Sequence, residues 1–223
     1  MTEGKLLIGQ RRYSSWSLRG WLAVRLAGLD VTIEVARFVR PGPTPLIEQT
    51  SPNGLVPYLE HRGARVWESL AVCEYCAELE PSLWPADRVA RAHARSIAAE
   101  MHAGFRALRQ NMWMNLGRDF SGLGRNEETL ADVARIEATW TGARRLFGAG
   151  GPYLFGAAFT AADVMYAPVV TRLLTWRPEI SIATQAYVDA VRRHPLVAEW
   201  YDDAAQEPED WLVAEYEETP AAA

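Results

Sequence analysis

Cysteine is scarce in this chain. Only Cys73 and Cys76 occur in 223 residues, which excludes a disulfide scaffold. No apolar stretch approaches the ~20 residues of a membrane span, so no transmembrane helix is expected. Dense basic runs are missing too, and the formal net charge is −5. That excludes a general nucleic-acid binder. Residues 1–9 lack the layout of a secretory signal, because acidic Glu3 interrupts a run that is already short. A cytoplasmic location is the expectation. Internal repeats and low-complexity tracts are absent as well.

What is present is ordinary for a soluble globular protein: 49% hydrophobic and 23% charged residues. A chain of this length can bury a substantial core. Nine tryptophans supply aromatic surface for that core, for a pocket, or for a dimer face.

Residues 4–9 read as a strand. The turn Ser14-Ser15-Trp16-Ser17 follows. Leu18, Trp21, Leu22, Arg25 and Leu26 then have the spacing of a one-sided helix, closed by Gly28. Residues 31–35 read as a second strand, which makes a right-handed βαβ unit. Residues 40–57 carry prolines 41, 43, 45, 52 and 57 and read as loop with one short helical turn. Residues 55–60 and 64–67 read as an antiparallel hairpin, and 68–79 as a buried helix. Glu80 to Pro85 holds two prolines and no periodicity.

Every strong pattern beyond it is helical. Residues 86–116 read as one long or bent helix, followed by 127–147, 161–176, 182–192 and 195–205. The acidic tail from Glu207 is expected to fray beyond Trp211–Tyr216. The fold class is therefore α/β plus all-α: an α/β module over 1–80, a linker over 81–86, and a helical module over 87–223.

Four stretches stand out. The serine turn sits where a helix begins, and unpaired N–H groups with the helix dipole favour an anion such as a thiolate there. A simple N-cap is the alternative. Leu55-Val56-Pro57 enters a strand through a plausible cis proline, a place where the Val56 backbone could pair with an extended peptide. Glu68-Ser69 opens a helix, where Ser69 could cap it and meet a carboxylate while Glu68 meets an ammonium. Thr160-Ala161-Ala162-Asp163 is a capping box, with Phe159 and Val164 as its hydrophobic staple. Cys73-Glu74-Tyr75-Cys76 matches C-x-x-C, but two cysteines cannot complete a tetrahedral zinc site. Buried thiols and no metal are expected there.

Ser14-Ser15-x-Ser17-x-Arg19, Ser51-Pro-Asn-Gly-Leu-Val-Pro57, Glu68-Ser-Leu-Ala-Val-Cys-Glu-Tyr75 and Phe159-Thr-Ala-Ala-Asp163 together resemble the cytosolic glutathione transferases. The serine turn most resembles the zeta-like bacterial branch, related to maleylacetoacetate isomerase. The resemblance runs over roughly residues 4–200. It implies a thioredoxin-like domain followed by the helical domain of that fold, and a homodimer.

It further implies that Ser14 stabilises the glutathione thiolate, with Ser15 exchanged for it if the turn is offset by one. Val56 would pair with the cysteinyl backbone before cis-Pro57, and Glu68 and Ser69 would hold the γ-glutamyl end. Glutathione would be a co-substrate conjugated to a hydrophobic electrophile. Glutathione-dependent isomerisation or dehalogenation, or non-catalytic binding on the same fold, are the alternatives.

Trp16 stands where the zeta pattern has cysteine, which argues against isomerase activity toward maleylacetoacetate. Leu55 is often polar in the family. Arg172 lies on the helix where zeta enzymes carry a substrate-binding arginine, about one turn earlier. The electrophile pocket is expected between the modules, on Trp16, His102, Phe105, Arg106, Arg109, Met112, Trp113 and Arg172. The seven-residue spacing of Phe105 and Met112 equally suits core, His102 suits a satisfied helix histidine, and the arginines suit ion pairs.

Overall fold

The computed structural model describes residues 2–218. Strand β1 (Gly4–Gly9) leads through the serine turn into helix α1 (Ser15–Leu26), and β2 (Thr32–Ala36) returns parallel to β1. Helix α2 (Pro45–Thr50) precedes the hairpin β3 (Tyr58–His61) and β4 (Ala64–Trp67). The sheet order is β2-β1-β3-β4, with β3 antiparallel to both neighbours. Period-two alternation assigns the faces. Leu6, Ile8 and Leu59 join the main core, whereas Leu7, Tyr58 and Ala36 pack under Ile47 of α2.

Helix α3 (Ser69–Leu79) lies beside α1, and a short 3-10 turn over Pro81–Leu83 ends the α/β part. Strand β3 begins at Tyr58 rather than Leu55, since Pro57 has no N–H for a ladder. The Val56–Pro57 bond is cis, as is Arg40–Pro41. Ser69 is the first residue of α3 and not its cap. Glu68 holds the cap position at φ 69°, with no side-chain capping bond.

The expected long helix is two. Helix α4 (Arg88–Ala103) stops at Gly104, Phe105 takes a left-handed φ of 60°, and α5 covers only Arg106–Asn111. The α5 start is held from elsewhere: the Leu108 N–H donates to the Asp132 carboxylate at 2.9 Å. No local turn residue beyond Gly104 announces that break. Residues 112–126 are not helical. Helices α6 (Glu127–Phe147), α7 (Ala161–Trp176), α8 (Ile182–Arg192) and α9 (Pro195–Ala205) follow.

Helix α7 is buried on all sides and packs on α1, α4 and α8. Its start is fixed by Asp163. One carboxylate oxygen accepts from the N–H and the hydroxyl of Thr160, both at 2.9 Å. The other accepts from the Leu154 N–H and the Tyr187 hydroxyl, both at 3.0 Å. The chain after α9 does not leave the body. Glu207 accepts from the Arg11 and Arg12 N–H groups. Gln10 Nε2 donates to the Trp211 carbonyl at 2.6 Å. A last turn, α10 (Ala214–Glu217), returns to Tyr13. The sequence expectation of a tail frayed beyond Trp211–Tyr216 is corrected for the described residues: Glu217 accepts from the Tyr13 hydroxyl at 2.5 Å and from Asn115 Nδ2 at 3.0 Å. Its remaining part, 219–223, lies outside the described residues.

Candidate active site

A cleft of about 840 Å³ runs between the α/β part and the helices. One wall is made by the ends of α/β elements: Tyr13, Ser14, Ser15 and Trp16 at the α1 start, Asn53 to Pro57 before β3, and Glu68 and Ser69 at the α3 start. The other is made by Arg109, Gln110, Trp113, Met114, Arg172 and Tyr216.

The two serines are bonded differently. Ser14 is the N-cap of α1; its Oγ accepts weakly from the Ser17 N–H at 3.4 Å and donates to Ser17 Oγ at 2.7 Å. Ser17 Oγ also accepts from the Gly9 N–H at 2.8 Å. Ser15 Oγ instead accepts from a guanidinium nitrogen of Arg172 at 3.2 Å. Arg172 is only 5% exposed, and burial together with repulsion from Arg109 lowers its pKa to about 9. It therefore stays charged at neutral pH.

At the other end of this wall, Asn53 Nδ2 donates to a Glu68 carboxylate oxygen at 3.1 Å. Ser69 Oγ is buried and has no hydrogen-bond partner. An unsatisfied buried hydroxyl costs about 1–3 kcal/mol, so it marks a place where a ligand group would be stabilised. The left-handed backbone of non-glycine Glu68 is strain of the kind held at ligand sites. Gly20 lets α1 approach Pro57: a Cβ there would sit 2.6 Å from the Pro57 ring.

Trp16 reaches from the α1 start toward the second wall. Guanidinium carbons of Arg19 and Arg109 each lie 4.5 Å from the centre of its ring, and His102 meets it edge-on at 5.4 Å. These are cation–π distances. Arg109 is held there by the carbonyls of Met101 and His102. His102 approaches Glu68 at 3.7 Å, linking the two walls. Burial outweighs the pull of Glu68 and holds the His102 pKa below its usual value.

Of the expected pocket residues, Trp16, Arg109, Trp113 and Arg172 line the cleft together with Ser14, Ser15, Val56, Pro57, Glu68 and Ser69. Four do not. Phe105 and Met112 are core, because the break after Gly104 turns them inward. Arg106 points to solvent at the start of α5. His102 lies beneath Trp16 rather than on the cleft surface. Sequence reasoning missed Phe38, Met114 and above all Tyr216. The available signal was charge complementarity: acidic Glu207 and Glu217 in the tail against Arg11 and Arg12 beside the serine turn. Cys73 and Cys76 are free and buried, and burial pushes the Cys76 thiol up to about 12.

Two family models match in tandem. "Glutathione S-transferase, N-terminal domain" covers residues 13–79, and "Glutathione S-transferase, C-terminal domain" covers 91–203, half of the chain by itself. The chain belongs to the glutathione S-transferase family. Among curated proteins it is similar to the maleylacetoacetate isomerase of Rattus norvegicus, 27% identical over 187 residues, 81% of this chain and 84% of the relative. It is 29% identical over 164 residues to Protein IN2-1 homolog A of Oryza sativa subsp. japonica. That is 72% of this chain, which thus spans 62% of the rice protein. The zeta-like resemblance read from the serine turn agrees with the isomerase relatives.

Among solved structures, the Tau class transferase of Mangifera indica superposes with a TM-score of 0.67 at 17% identity, over 91% of this chain and 96% of that one. A glutathione transferase homolog from Burkholderia GL BGR1, with bound glutathione, gives 0.67 at 23% identity, over 91% and 98%. Those likenesses are of fold: the thioredoxin-like sheet and the helical domain of the family.

Proposed function

We propose that the cleft binds glutathione along its α/β wall, stabilises its thiolate with a serine hydroxyl at the α1 start, and transfers it to a hydrophobic electrophile on the helical wall. Ser69 Oγ is the observation that supports this best: a buried hydroxyl without a partner, on the cleft wall beside Glu68. Ser69 and the first N–H groups of α3 would take the γ-glutamyl carboxylate and Glu68 its ammonium. The Val56 backbone would pair with the cysteinyl unit, which places the thiol toward Ser14 and Ser15.

A free thiol with pKa ~8.5 is mostly protonated at neutral pH. Lowering it by ~2 units takes ~2.7 kcal/mol. One charge-assisted hydrogen bond plus a helix N-terminus supplies that magnitude. The thiolate then attacks an electrophilic carbon held against Trp16, Trp113 and Met114; the C–S bond forms as the bond to the leaving group, a halide in an aryl halide, breaks and that group departs through the open cleft. These residues keep water from one side and give an apolar, aromatic surface. No metal is part of this reading, and a cytoplasmic homodimer is its expected form.

A second reading is glutathione-dependent isomerisation, with the thiol regenerated. It is favoured by the named isomerase relatives and by a buried guanidinium, Arg172, inside the cleft. The test is calorimetric titration with glutathione, followed by turnover of an activated aryl halide and of a maleyl-type dicarboxylate. Saturable binding with stoichiometric consumption of glutathione supports transfer. Turnover of the dicarboxylate without consumption supports isomerisation. Failure to bind glutathione overturns both.

A further inference from the structure

We infer that Ser15, rather than Ser14, is the hydroxyl that stabilises the glutathione thiolate, and that Arg172 is the positioning residue that makes it able to do so. The inference rests on the glutathione reading above and adds to it a residue outside the α/β part.

The argument is one of donors and acceptors. A guanidinium can only donate. Arg172 gives one nitrogen to the Pro168 carbonyl at 2.9 Å and another to Ser15 Oγ at 3.2 Å. Ser15 Oγ therefore accepts, and its own proton must go elsewhere. Among the described residues no protein group takes that proton, and Ser15 borders the cleft. Its O–H is free to donate to a sulfur placed there.

Ser14 is in the opposite position. Its proton is engaged by Ser17 Oγ at 2.7 Å and its lone pair by the Ser17 N–H, so it is occupied in starting the helix. Accepting from a cation also polarises a hydroxyl and makes it a stronger donor.

Charge points the same way. Arg172 is buried and makes no ion pair with a carboxylate among the described residues. Its Nε is buried without a partner. A buried, unpaired cation is costly, and an anion bound next to it offsets that cost. The groups that face this point are Arg19 on α1, Arg109 on α5, Glu68 before α3, and the Tyr13 and Tyr216 rings. The acids nearest them are Glu68, placed at the far end with Asn53, and Glu217, held by the Tyr13 hydroxyl and Asn115; three guanidinium groups outnumber them. The local field therefore favours the thiolate, and the thiol proton leaves to solvent through the open cleft.

The experiment is ultraviolet titration of the thiolate of bound glutathione in wild type, Ser14→Ala, Ser15→Ala, Arg172→Gln, Arg172→Lys and the Ser15→Ala/Arg172→Gln double variant. Glutathione affinity and circular dichroism are followed alongside. Ser15→Ala and Arg172→Gln should each raise the bound thiol pKa by about one unit, a tenfold loss of thiolate at a given pH below it. Ser14→Ala should raise it less. The double variant should shift the pKa by clearly less than the sum of the two singles, because Arg172 acts on the thiolate largely through Ser15. Arg172→Lys keeps the charge but cannot keep both contacts, and should reproduce the part of the shift that runs through Ser15 even where glutamine unfolds the protein.

A larger shift from Ser14→Ala than from Ser15→Ala overturns the assignment. So does an additive double variant, or an unshifted Arg172→Lys. Wild type that binds glutathione without lowering its pKa refutes the functional reading itself, a result distinct from a lowered pKa indifferent to Ser15 and Arg172.

Discussion

The two walls of the cleft are built from different kinds of parts. On the α/β side, the cleft is lined by the ends of elements: a helix start at Ser14 and Ser15, a strand entry at Val56 and Pro57, a second helix start at Glu68 and Ser69. Helix starts leave N–H groups without intrahelical partners there, and a short contiguous motif positions each of them. On the helical side, Arg109, Trp113, Arg172 and Tyr216 come from four separate segments, and their side chains supply the surface. Backbone groups that a turn or cap fixes depend little on side-chain identity, whereas a surface made of side chains changes with each exchange.

The sharpest way to separate the walls is to damage the helical domain at a point remote from the cleft. Asp163 is fully buried and accepts four hydrogen bonds. Asp163→Ala strands those donors, and stability should fall by about 3–5 kcal/mol. Urea unfolding measures this. A loss under 1 kcal/mol would mean that the α7 start is not the keystone of the helical half. Whatever fraction stays folded should keep its glutathione thiol pKa.

Gly20→Ala breaks the α/β wall instead. The new Cβ would overlap the Pro57 ring at 2.6 Å, between two buried elements that cannot yield cheaply. Overpacking of this kind costs about 1–3 kcal/mol. Because it pushes the α1 start away from Pro57, glutathione affinity should drop about tenfold, the equivalent of ~1.4 kcal/mol. Unchanged affinity in a folded Gly20→Ala protein would show that the spacing between these two elements does not set the site.

Legibility in the sequence followed the same division. The sheet, α1, α3 and the α7 capping box could be read locally, since period-two and period-3.6 patterns and cap residues are short-range signals. Ser14, Ser15, Val56, Pro57, Glu68 and Ser69 were legible for that reason, and the structure places all six on one wall. The break between α4 and α5 was not legible. The helix start beyond it is held by a carboxylate 24 residues away, Asp132 on the Leu108 N–H. That break moved Phe105 and Met112 into the core. The contribution of Tyr216 was hidden too, because a terminal tail carries no periodicity to say where it docks.

Glu207 tests that tail. Its carboxylate accepts the Arg11 and Arg12 N–H groups, a pair of bonds that ties the tail to the serine turn. Glu207→Ala should cost about 1–2 kcal/mol. It should raise KM for the electrophile two- to fivefold, by an effect of that size or smaller at Tyr216, with little change in KM for glutathione. Equal changes in both constants would mean that the tail braces the α/β wall as much as the helical one.

His102 gives the smallest effect and the finest comparison, since it stands on helix α4 and touches two residues of the α/β wall, Trp16 edge-on and Glu68 at 3.7 Å. Glu68 is half exposed, so this pair is worth no more than about 0.5 kcal/mol. The direction of the His102 shift makes it measurable. Burial lowers its pKa in the folded protein, and Arg19 and Arg109 add to that against Glu68. The unfolded chain, with an ordinary histidine pKa near ~6.5, then binds the proton more readily. The neutral histidine's contribution is therefore present above pH ~6.5 and is lost as pH falls below it.

His194 is shifted the same way by burial and remains in both proteins. Wild type should thus lose more stability than His102→Gln between pH 7.5 and pH 5.5, read as the difference in urea midpoints. A steeper loss in the variant would mean that protonated His102 gains more from Glu68 than burial costs it, and that the two walls are joined by an ion pair in acid.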